Sequence, residues 1–225
     1  MIKAIIFDFD GTLSNRQLNA YDFFYNYFKN YFSDFDEIEY EAMLQDMLTY
    51  DCNGTIPVKY RIIPFVAKYG KYLPDNFSDT FIKDFYDNMY KSVVLKQETR
   101  QVLEKLKGKY KLAILSNGDS ISQHNKINAL DIVKYFDEVL VSGDIGIHKP
   151  DKEVFEYLAD KLNVKCEECL MIGDVFSTDI LGAYNANMLP VWISKDLERP
   201  SRNYHGYRIN DLNELFVILE KEGCW

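Results

Sequence analysis

The stretch Lys3-Ala-Ile-Ile-Phe-Asp-Phe-Asp-Gly-Thr12 decides the fold of this chain. Residues Lys3 to Phe9 form a short run rich in β-branched and aromatic side chains, which predicts a buried strand. The following Asp10-Gly11-Thr12 predicts a tight turn, so the strand ends in carboxylates. Since one strand cannot bury both of its faces alone, it must join a sheet built by residues further along the chain.

The chain after this first strand falls into two parts. From about residue 17 to about residue 92, apolar residues recur at helical spacing, and Ser78 is a candidate cap for a helix over 81–90. After about residue 95, short apolar strands alternate with helices, one of them at about 178–186, which predicts a parallel sheet covered by helices on both faces. The sequence therefore predicts the α/β class, with a core domain at 1–16 and 93–225. The residues 17–92 would form a small all-helical domain inserted after the first strand.

Polar residues follow four of the predicted strands, at the end of the sheet where ligands bind in open parallel sheets. They are Asp8 and Asp10 after the first strand, Ser116 and Asn117 after 111–115, Lys149 after 138–141, and Asp174 with Asp179 after 170–172. Four aspartates in one place repel one another strongly unless a cation lies between them. Oxygen ligands of this kind favour a hard divalent ion, and Mg²⁺ is the expected one.

Four segments in this order resemble the motifs of the haloacid dehalogenase-like (HAD) hydrolase superfamily. They are Asp8-Phe-Asp10-Gly-Thr12, Leu115-Ser116-Asn117-Gly118, His148-Lys149-Pro150-Asp151, and Gly173-Asp174 through Asp179. The resemblance spans almost the whole chain and implies a Rossmann-like core. The helical insertion lies between the first and second motifs, where the superfamily places its helical (type C1) cap, and such a cap is expected to close over the active site.

The resemblance also implies a role for each motif residue. Asp8 is expected to be the nucleophile that forms an aspartyl-phosphate, and Asp10 the general acid and base. Ser116 and Lys149 are the other catalytic residues, which hydrogen-bond and neutralise the phosphoryl group. The residues expected to bind substrate are Phe9, Gly11, Thr12, Asn117 and Gly118. The residues expected to hold Mg²⁺ are Asp8, Asp10, Asp174 and Asp179, the last by ordering a metal-bound water or Lys149.

The presence of Asp10 narrows the set of reactions expected for this chain. Dehalogenating and phosphonate-cleaving members depart from an aspartate two residues after the nucleophile, whereas phosphate-transferring members use it to protonate the leaving oxygen. The expected activity is a phosphomonoesterase acting on a nucleoside monophosphate or a sugar-like phosphate, similar to nucleoside 5'-monophosphate and phosphoglycolate phosphatases. Two alternatives stay open, namely a sugar phosphomutase and a phosphate-binding regulatory protein of the same fold without turnover.

Several residues also fit interpretations that involve no role in catalysis or binding. Asp179 fits a helix cap, and Ser116-Asn117-Gly118 fits an ordinary turn. In the helical domain, Lys59 and Arg61 are predicted to be surface residues rather than substrate ligands. The many aromatic residues there are predicted to form the core of a helix bundle. Cys166 and Cys169 are predicted to be two ordinary thiols.

Composition limits the classes of partner. A net charge of -9 argues against a binder of nucleic acid polymers or anionic membranes, since both need a basic face. The first residues carry two carboxylates where a signal peptide needs apolar residues, and no stretch approaches the roughly 18 apolar residues of a membrane span. With four unevenly spaced cysteines, these features predict a cytoplasmic location. The expected partner is a small phosphate ester, and the expected assembly a monomer or homodimer.

Overall fold

The computed structural model describes residues 1–194 and 201–225. In chain order it begins with strand β1 (Ala4–Phe7) and helices α1 (Arg16–Phe28), α2 (Glu37–Asp51), α3 (Val58–Tyr69), α4 (Phe77–Asn88) and α5 (Thr99–Leu106). It continues with β2 (Lys111–Ser116), α6 (Ser120–Ala129), β3 (Glu138–Val141), α7 (Ser142–Ile145), α8 (Lys152–Lys161), β4 (Cys169–Gly173), α9 (Leu181–Asn185), β5 (Leu189–Ile193), β6 (Tyr207–Ile209) and α10 (Leu215–Lys221).

The described strands form one parallel sheet in the order β3-β2-β1-β4-β5-β6. Strand β1 lies between β2 and β4, with Phe7 opposite Ile114 on one side and Ile172 on the other. All four residues of β1 are buried, as a central strand with helices on both faces requires. On one face, Ala4 and Ile6 pack in a cluster with apolar residues of α8 and α9. The α/β prediction is confirmed.

The chain divides into two compact units. The core unit comprises Met1–Ser14 and Leu95–Trp225, and the helical unit comprises Asn15–Val94. The sequence predicted boundaries between residues 16 and 17 and between residues 92 and 93. Each of these lies two residues from the observed boundary. Of the described helices, none has both the length and the apolar character needed to cross a bilayer.

The helical unit has its own core, which is dense in aromatic rings. Phe24, Phe28, Phe65 and Phe81 are completely buried there. The rings of Phe28 and Phe65 stack with centroids 4.6 Å apart, and Phe28 also stacks on Phe81 at 5.8 Å. The prediction that these aromatic residues form a helix-bundle core is confirmed.

The prediction that Arg61 is a surface residue is wrong. Arg61 is only 7% exposed, because its guanidinium donates to Asp51 Oδ1 at 2.8 Å and to the Gly54 carbonyl at 3.0 Å. Arg16 reaches the same carboxylate from α1, with its Nη2 atom 2.8 Å from Asp51 Oδ2. The buried Asp51 carboxylate compensates the charges of both guanidiniums, so Arg61 does not need the contact with solvent that the sequence predicted. Lys59 is exposed, as predicted.

A few local predictions differ from the structure. Ser78 lies inside α4 and does not cap it, because the helix already begins at Phe77. The helix expected over 178–186 begins as a π-helical turn, Phe176–Ile180, before α9. Strand β6 and helix α7 were not predicted, because they are only three and four residues long and show no clear periodicity. Cys166 and Cys169 are free thiols, as predicted.

Candidate active site

The pairing of β1 with β4 brings three aspartates together. Asp8 follows β1 and donates its backbone N–H to the Ile172 carbonyl at 2.8 Å, and Asp174 follows β4. Carboxylate oxygens of Asp8, Asp174 and Asp179 all lie within 4.8 Å of one another. The sheet therefore gathers three of the four aspartates of the predicted metal set through their side chains, at the carboxyl ends of two neighbouring strands.

Lys149 is the cation that the fold places against this cluster. Its Nζ atom lies 2.7 Å from Asp8 Oδ1 and 2.8 Å from Asp179 Oδ1, and it donates to the Leu115 carbonyl at 2.7 Å. These three contacts use all three ammonium hydrogens. Lys149 is buried, so it is not the solvated lysine that a lone Lys-Pro would suggest.

The charges at the site are out of balance. Burial, together with the nearby charges of Asp179 and Asp174, raises the pKa of Asp8 from 3.8 to about 8, although Lys149 opposes this rise. Burial alone lowers the pKa of Lys149, but the charges of Asp179 and Asp8 outweigh it and raise that pKa overall. One ammonium group is thus too little positive charge for three clustered carboxylates.

Asp179 is held inside the π-helical turn rather than at a helix N-cap. Its Oδ2 atom accepts from the Val175 N–H at 2.9 Å, while Oδ1 faces Lys149. Single π-helical turns within helices are common at functional sites. The geometry supports Asp179 as a residue that orients Lys149, one of the two roles expected from the sequence, and not as a simple cap.

Asp174 is packed against the turn that follows β1. Gly11 has a φ of +94°, and a Cβ atom there would lie 2.6 Å from Asp174 Oδ2, so only glycine fits. The Asp174 carbonyl accepts from the indole N–H of Trp192 at 3.1 Å. The close approach of Gly11 fixes Asp174 next to the loop that carries Asp8 and Asp10.

The segment after β2 connects to the Lys149 loop. The Asn117 side chain exchanges two hydrogen bonds of 2.9 Å with the backbone of Lys149, one as donor and one as acceptor. Ser116 is buried, and its Oγ accepts from the Gln123 amide at 2.9 Å. The Gly118 N–H donates to Ser142 Oγ at 3.0 Å. This segment is more than an ordinary turn, because Asn117 holds the loop that carries Lys149.

Two predicted substrate-binding residues, Phe9 and Thr12, are completely buried. Any contact with a ligand in this structure would therefore involve their backbone groups. Their role in substrate binding stays a prediction, as do those of Gly11, Asn117 and Gly118.

Asp10 has two partners that the sequence did not suggest. Its Oδ2 atom accepts from Gln123 Nε2 at 3.0 Å and from the ammonium group of Lys126. Both donors come from α6 and are buried, at 6% and 7% exposure. The only signal in the sequence was their spacing of three residues, which places two polar side chains on one face of a helix.

The donor set fits a hard divalent cation. Every side-chain ligand that the cluster offers is a carboxylate oxygen, the type that Mg²⁺ prefers. Burial and the charges of Asp179 and Asp174 raise the pKa of Asp8, and a bound cation would favour its ionised form. The His and Cys ligands typical of zinc do not contribute to it.

Comparisons with known proteins agree with this geometry. Residues 5–193 match the family model for haloacid dehalogenase-like hydrolases. The N-acylneuraminate-9-phosphatase of Rattus norvegicus is 33% identical over 135 residues, which cover 59% of this chain and 54% of that protein. The chain thus spans about half the length of that curated relative. The glyceraldehyde 3-phosphate phosphatase of Methanocaldococcus jannaschii is 29% identical over 241 residues, covering 98% of each chain.

A solved structure shows the same fold. The HAD hydrolase YfnB of Bacillus subtilis, described as bound to magnesium, superposes with a TM-score of 0.78. It is 22% identical in sequence and covers 97% of this chain and 98% of its own. The match over most of the sequence, the sheet order and the clustered aspartates lead to one conclusion: the chain belongs to the haloacid dehalogenase-like hydrolase family.

Proposed function

We propose that the chain is a Mg²⁺-dependent phosphomonoesterase that acts on a small phosphorylated metabolite through an aspartyl-phosphate on Asp8. The observation that carries this proposal is the cluster of Asp8, Asp174 and Asp179 with Lys149 at the strand ends. Two related phosphatases, one of them aligned over 98% of both chains, support the same activity.

In the first half-reaction, a carboxylate oxygen of Asp8 attacks phosphorus and the bond from phosphorus to the leaving oxygen breaks. Asp10 gives its proton to that oxygen, so the product leaves as a neutral alcohol. Lys149, already in contact with Asp8, stabilises the negative charge around the transferring group. Because the Ser116 Oγ accepts from Gln123, its own hydrogen remains available to a phosphoryl oxygen.

In the second half-reaction, water attacks the phosphorus of the aspartyl-phosphate. Asp10, now deprotonated, takes a proton from this water, and the bond to the Asp8 oxygen breaks to release inorganic phosphate. Asp10 regains its proton and Asp8 its carboxylate, so both residues return to their starting states.

The carboxylates of Asp8 and Asp174 and the backbone carbonyl of Asp10 would hold Mg²⁺. When bound, the ion supplies positive charge that keeps Asp8 ionised at neutral pH and offsets the charge of the phosphoryl group. Asp179 contributes through Lys149, which it contacts at 2.8 Å.

The proposed substrate class is a sugar-like phosphate or a nucleoside monophosphate. The two relatives support the first of these, because both are named for small phosphorylated carbohydrates. A screen of small phosphate monoesters, ranked by kcat/KM, tests the class. Sugar-like or nucleoside esters among the best substrates support it, and a preference for phosphopeptides or for none of these would contradict it.

The activity itself is tested by release of phosphate from p-nitrophenyl phosphate. We expect turnover with Mg²⁺, loss with EDTA, and loss in Asp8→Asn, whereas Asp131→Asn serves as a control at an exposed aspartate. Full activity of Asp8→Asn would remove Asp8 from its role. An isomerised product without free phosphate would identify a phosphomutase, and tight binding of phosphate esters without turnover would identify a regulatory protein.

A further inference from the structure

We infer that Gln123 and Lys126 are positioning residues for Asp10, which hold its carboxyl group through Oδ2 so that Oδ1 is the oxygen that carries the proton for the leaving group of the substrate. This inference rests on the proposed role of Asp10 as general acid. Both residues lie on α6, outside the four motifs, and neither is needed to explain the cluster around Lys149.

The two side chains meet the same atom from one face of the helix. Gln123 Nε2 is 3.0 Å from Asp10 Oδ2, and the Lys126 ammonium forms an ion pair with that oxygen. Residues three apart on a helix are neighbours on its surface, so one element sets both contacts. A rigid helix, rather than a mobile loop, therefore determines where the Asp10 carboxyl group lies.

The contact between Lys126 and Asp10 is largely buried, so breaking it costs free energy. The Lys126 side chain is 9% exposed and the Asp10 side chain 22%. An ammonium removed from water needs hydrogen-bond acceptors in place of water, and Asp10 Oδ2 can accept from Lys126 whether or not Oδ1 carries a proton. Ordinary surface pairs, in contrast, place both groups in water, as Lys134 and Asp131 do with side chains 53% and 75% exposed.

The backbone is shaped to admit Gln123. Gly118 has a φ of +149°, and a Cβ atom there would lie 2.8 Å from Gln123 Cγ. Any larger residue would push Gln123 away from Asp10. The turn after β2 thus leaves room for the Gln123 side chain of α6 to contact the Asp10 carboxyl group.

The orientation of the Gln123 amide follows from its neighbours. Its nitrogen faces Asp10 Oδ2, the Asn117 carbonyl at 2.9 Å and Ser116 Oγ at 2.9 Å. The Asn117 carbonyl only accepts hydrogen bonds, and Asp10 Oδ2 accepts here from Lys126. If the Gln123 amide were rotated by 180°, its oxygen would face these two acceptors. Gln123 therefore links Asp10 to Ser116, the proposed ligand of the phosphoryl group.

This arrangement assigns the transferred proton to one oxygen of Asp10. Since Oδ2 accepts from two donors, the proton that Asp10 gives to the leaving group is carried on Oδ1. That proton moves to the leaving oxygen as the phosphorus–oxygen bond breaks and its electron pair stays with oxygen. A carboxyl group that rotated between orientations would present Oδ1 to the substrate only part of the time.

The dependence of activity on the leaving group tests the inference in the whole chain with Mg²⁺. The value of kcat/KM reports steps up to departure of the alcohol, so it isolates the protonation of the leaving oxygen. p-Nitrophenolate leaves readily without a proton, whereas glycerol from glycerol phosphate does not. The variants are Lys126→Met, Gln123→Met and Asp10→Asn, with Lys134→Met as a matched control at an exposed lysine.

We expect Asp10→Asn to lower kcat/KM for glycerol phosphate by about 100-fold or more relative to p-nitrophenyl phosphate, the usual contribution of general acid catalysis. Lys126→Met and Gln123→Met should each lower the same ratio by about tenfold, because they misplace the acid without removing it. Lys126→Arg, which keeps a cationic donor, should restore part of the ratio. Lys134→Met should leave it unchanged.

Equal losses on both substrates in Lys126→Met and Gln123→Met, or no loss, would overturn the inference. If Asp10→Asn is selective but these two variants are not, only the positioning role fails. If Asp10→Asn itself shows no selectivity, the proposed role of Asp10 fails as well. Should Lys126→Met not fold, as judged by circular dichroism, Gln123→Met carries the same prediction alone.

Discussion

Replacing Asp8 with asparagine should change how stability depends on pH in the absence of metal. The pKa of Asp8 is raised to about 8 in the folded chain, against 3.8 for an ordinary aspartate. Between these two values the folded state binds a proton that the unfolded state does not. The free energy of unfolding therefore falls as pH rises from about 4 to about 8.

The structure sets an upper limit for this effect. Each pH unit in that window lowers the free energy of unfolding by up to about 1.4 kcal/mol, so raising the pH from about 5.5 to about 7.5 costs at most about 3 kcal/mol. The Lys149 pKa is raised from 10.5, above this window, so its titration does not contribute to the change. The asparagine side chain of the variant carries no charge, so the Asp8 contribution is removed.

Urea denaturation in EDTA at several pH values measures this difference. We expect wild type to lose more stability than Asp8→Asn as pH rises, and Asp8→Asn to be the more stable of the two at about pH 8. Asp131→Asn should behave like wild type, because Lys134 lowers the Asp131 pKa and moves its titration below the window. Added Mg²⁺ should remove most of the wild-type loss. Parallel pH profiles for wild type and Asp8→Asn would refute the reasoning.

Three further variants test other parts of the structure. Asp51→Asn leaves the buried Arg16 and Arg61 without a countercharge, and urea denaturation should show a loss of about 3 to 5 kcal/mol; a loss below about 1 kcal/mol would contradict that. Phe28→Ala removes the ring that stacks on Phe65 and Phe81 and should cost about 3 to 5 kcal/mol by the same assay; a loss below about 1 kcal/mol would contradict a tightly packed core. Gly11→Ala places a methyl group against Asp174, so we expect the Mg²⁺ concentration for half-maximal activity to rise while stability falls by about 1 to 3 kcal/mol; an unchanged Mg²⁺ requirement would show that Asp174 is not a ligand.

The sequence predicted those features that depend on local pattern. The buried run of β1 and the later alternation of strands and helices led to the parallel sheet. Strand ends are also local features, so Asp8, Lys149 and Asp174 could be named before their distances were known. The helical spacing of Phe24 and Phe28 likewise led to the aromatic core.

Features that depend on long-range contacts were not predictable in this way. Lys126 and Gln123 lie in a polar helix whose sequence resembles a solvated surface, and only the fold shows that they meet Asp10. Arg61 was assigned to the surface because a charged residue is usually exposed, whereas Asp51 and Arg16 make its burial possible. A pattern of residue types does not reveal which distant charge will compensate a buried one.

The location of the phosphoryl group during turnover tests the central claim most directly. Asp10→Asn should slow hydrolysis of the intermediate, so acid quenching after mixing with p-nitrophenyl phosphate and Mg²⁺ should trap it. Peptide mass spectrometry is expected to find one phosphoryl group on the peptide that contains Asp8, and none when Asp8 is also changed to asparagine. A phosphoryl group on another residue, or none at any time point during continued release of p-nitrophenolate, would contradict the account.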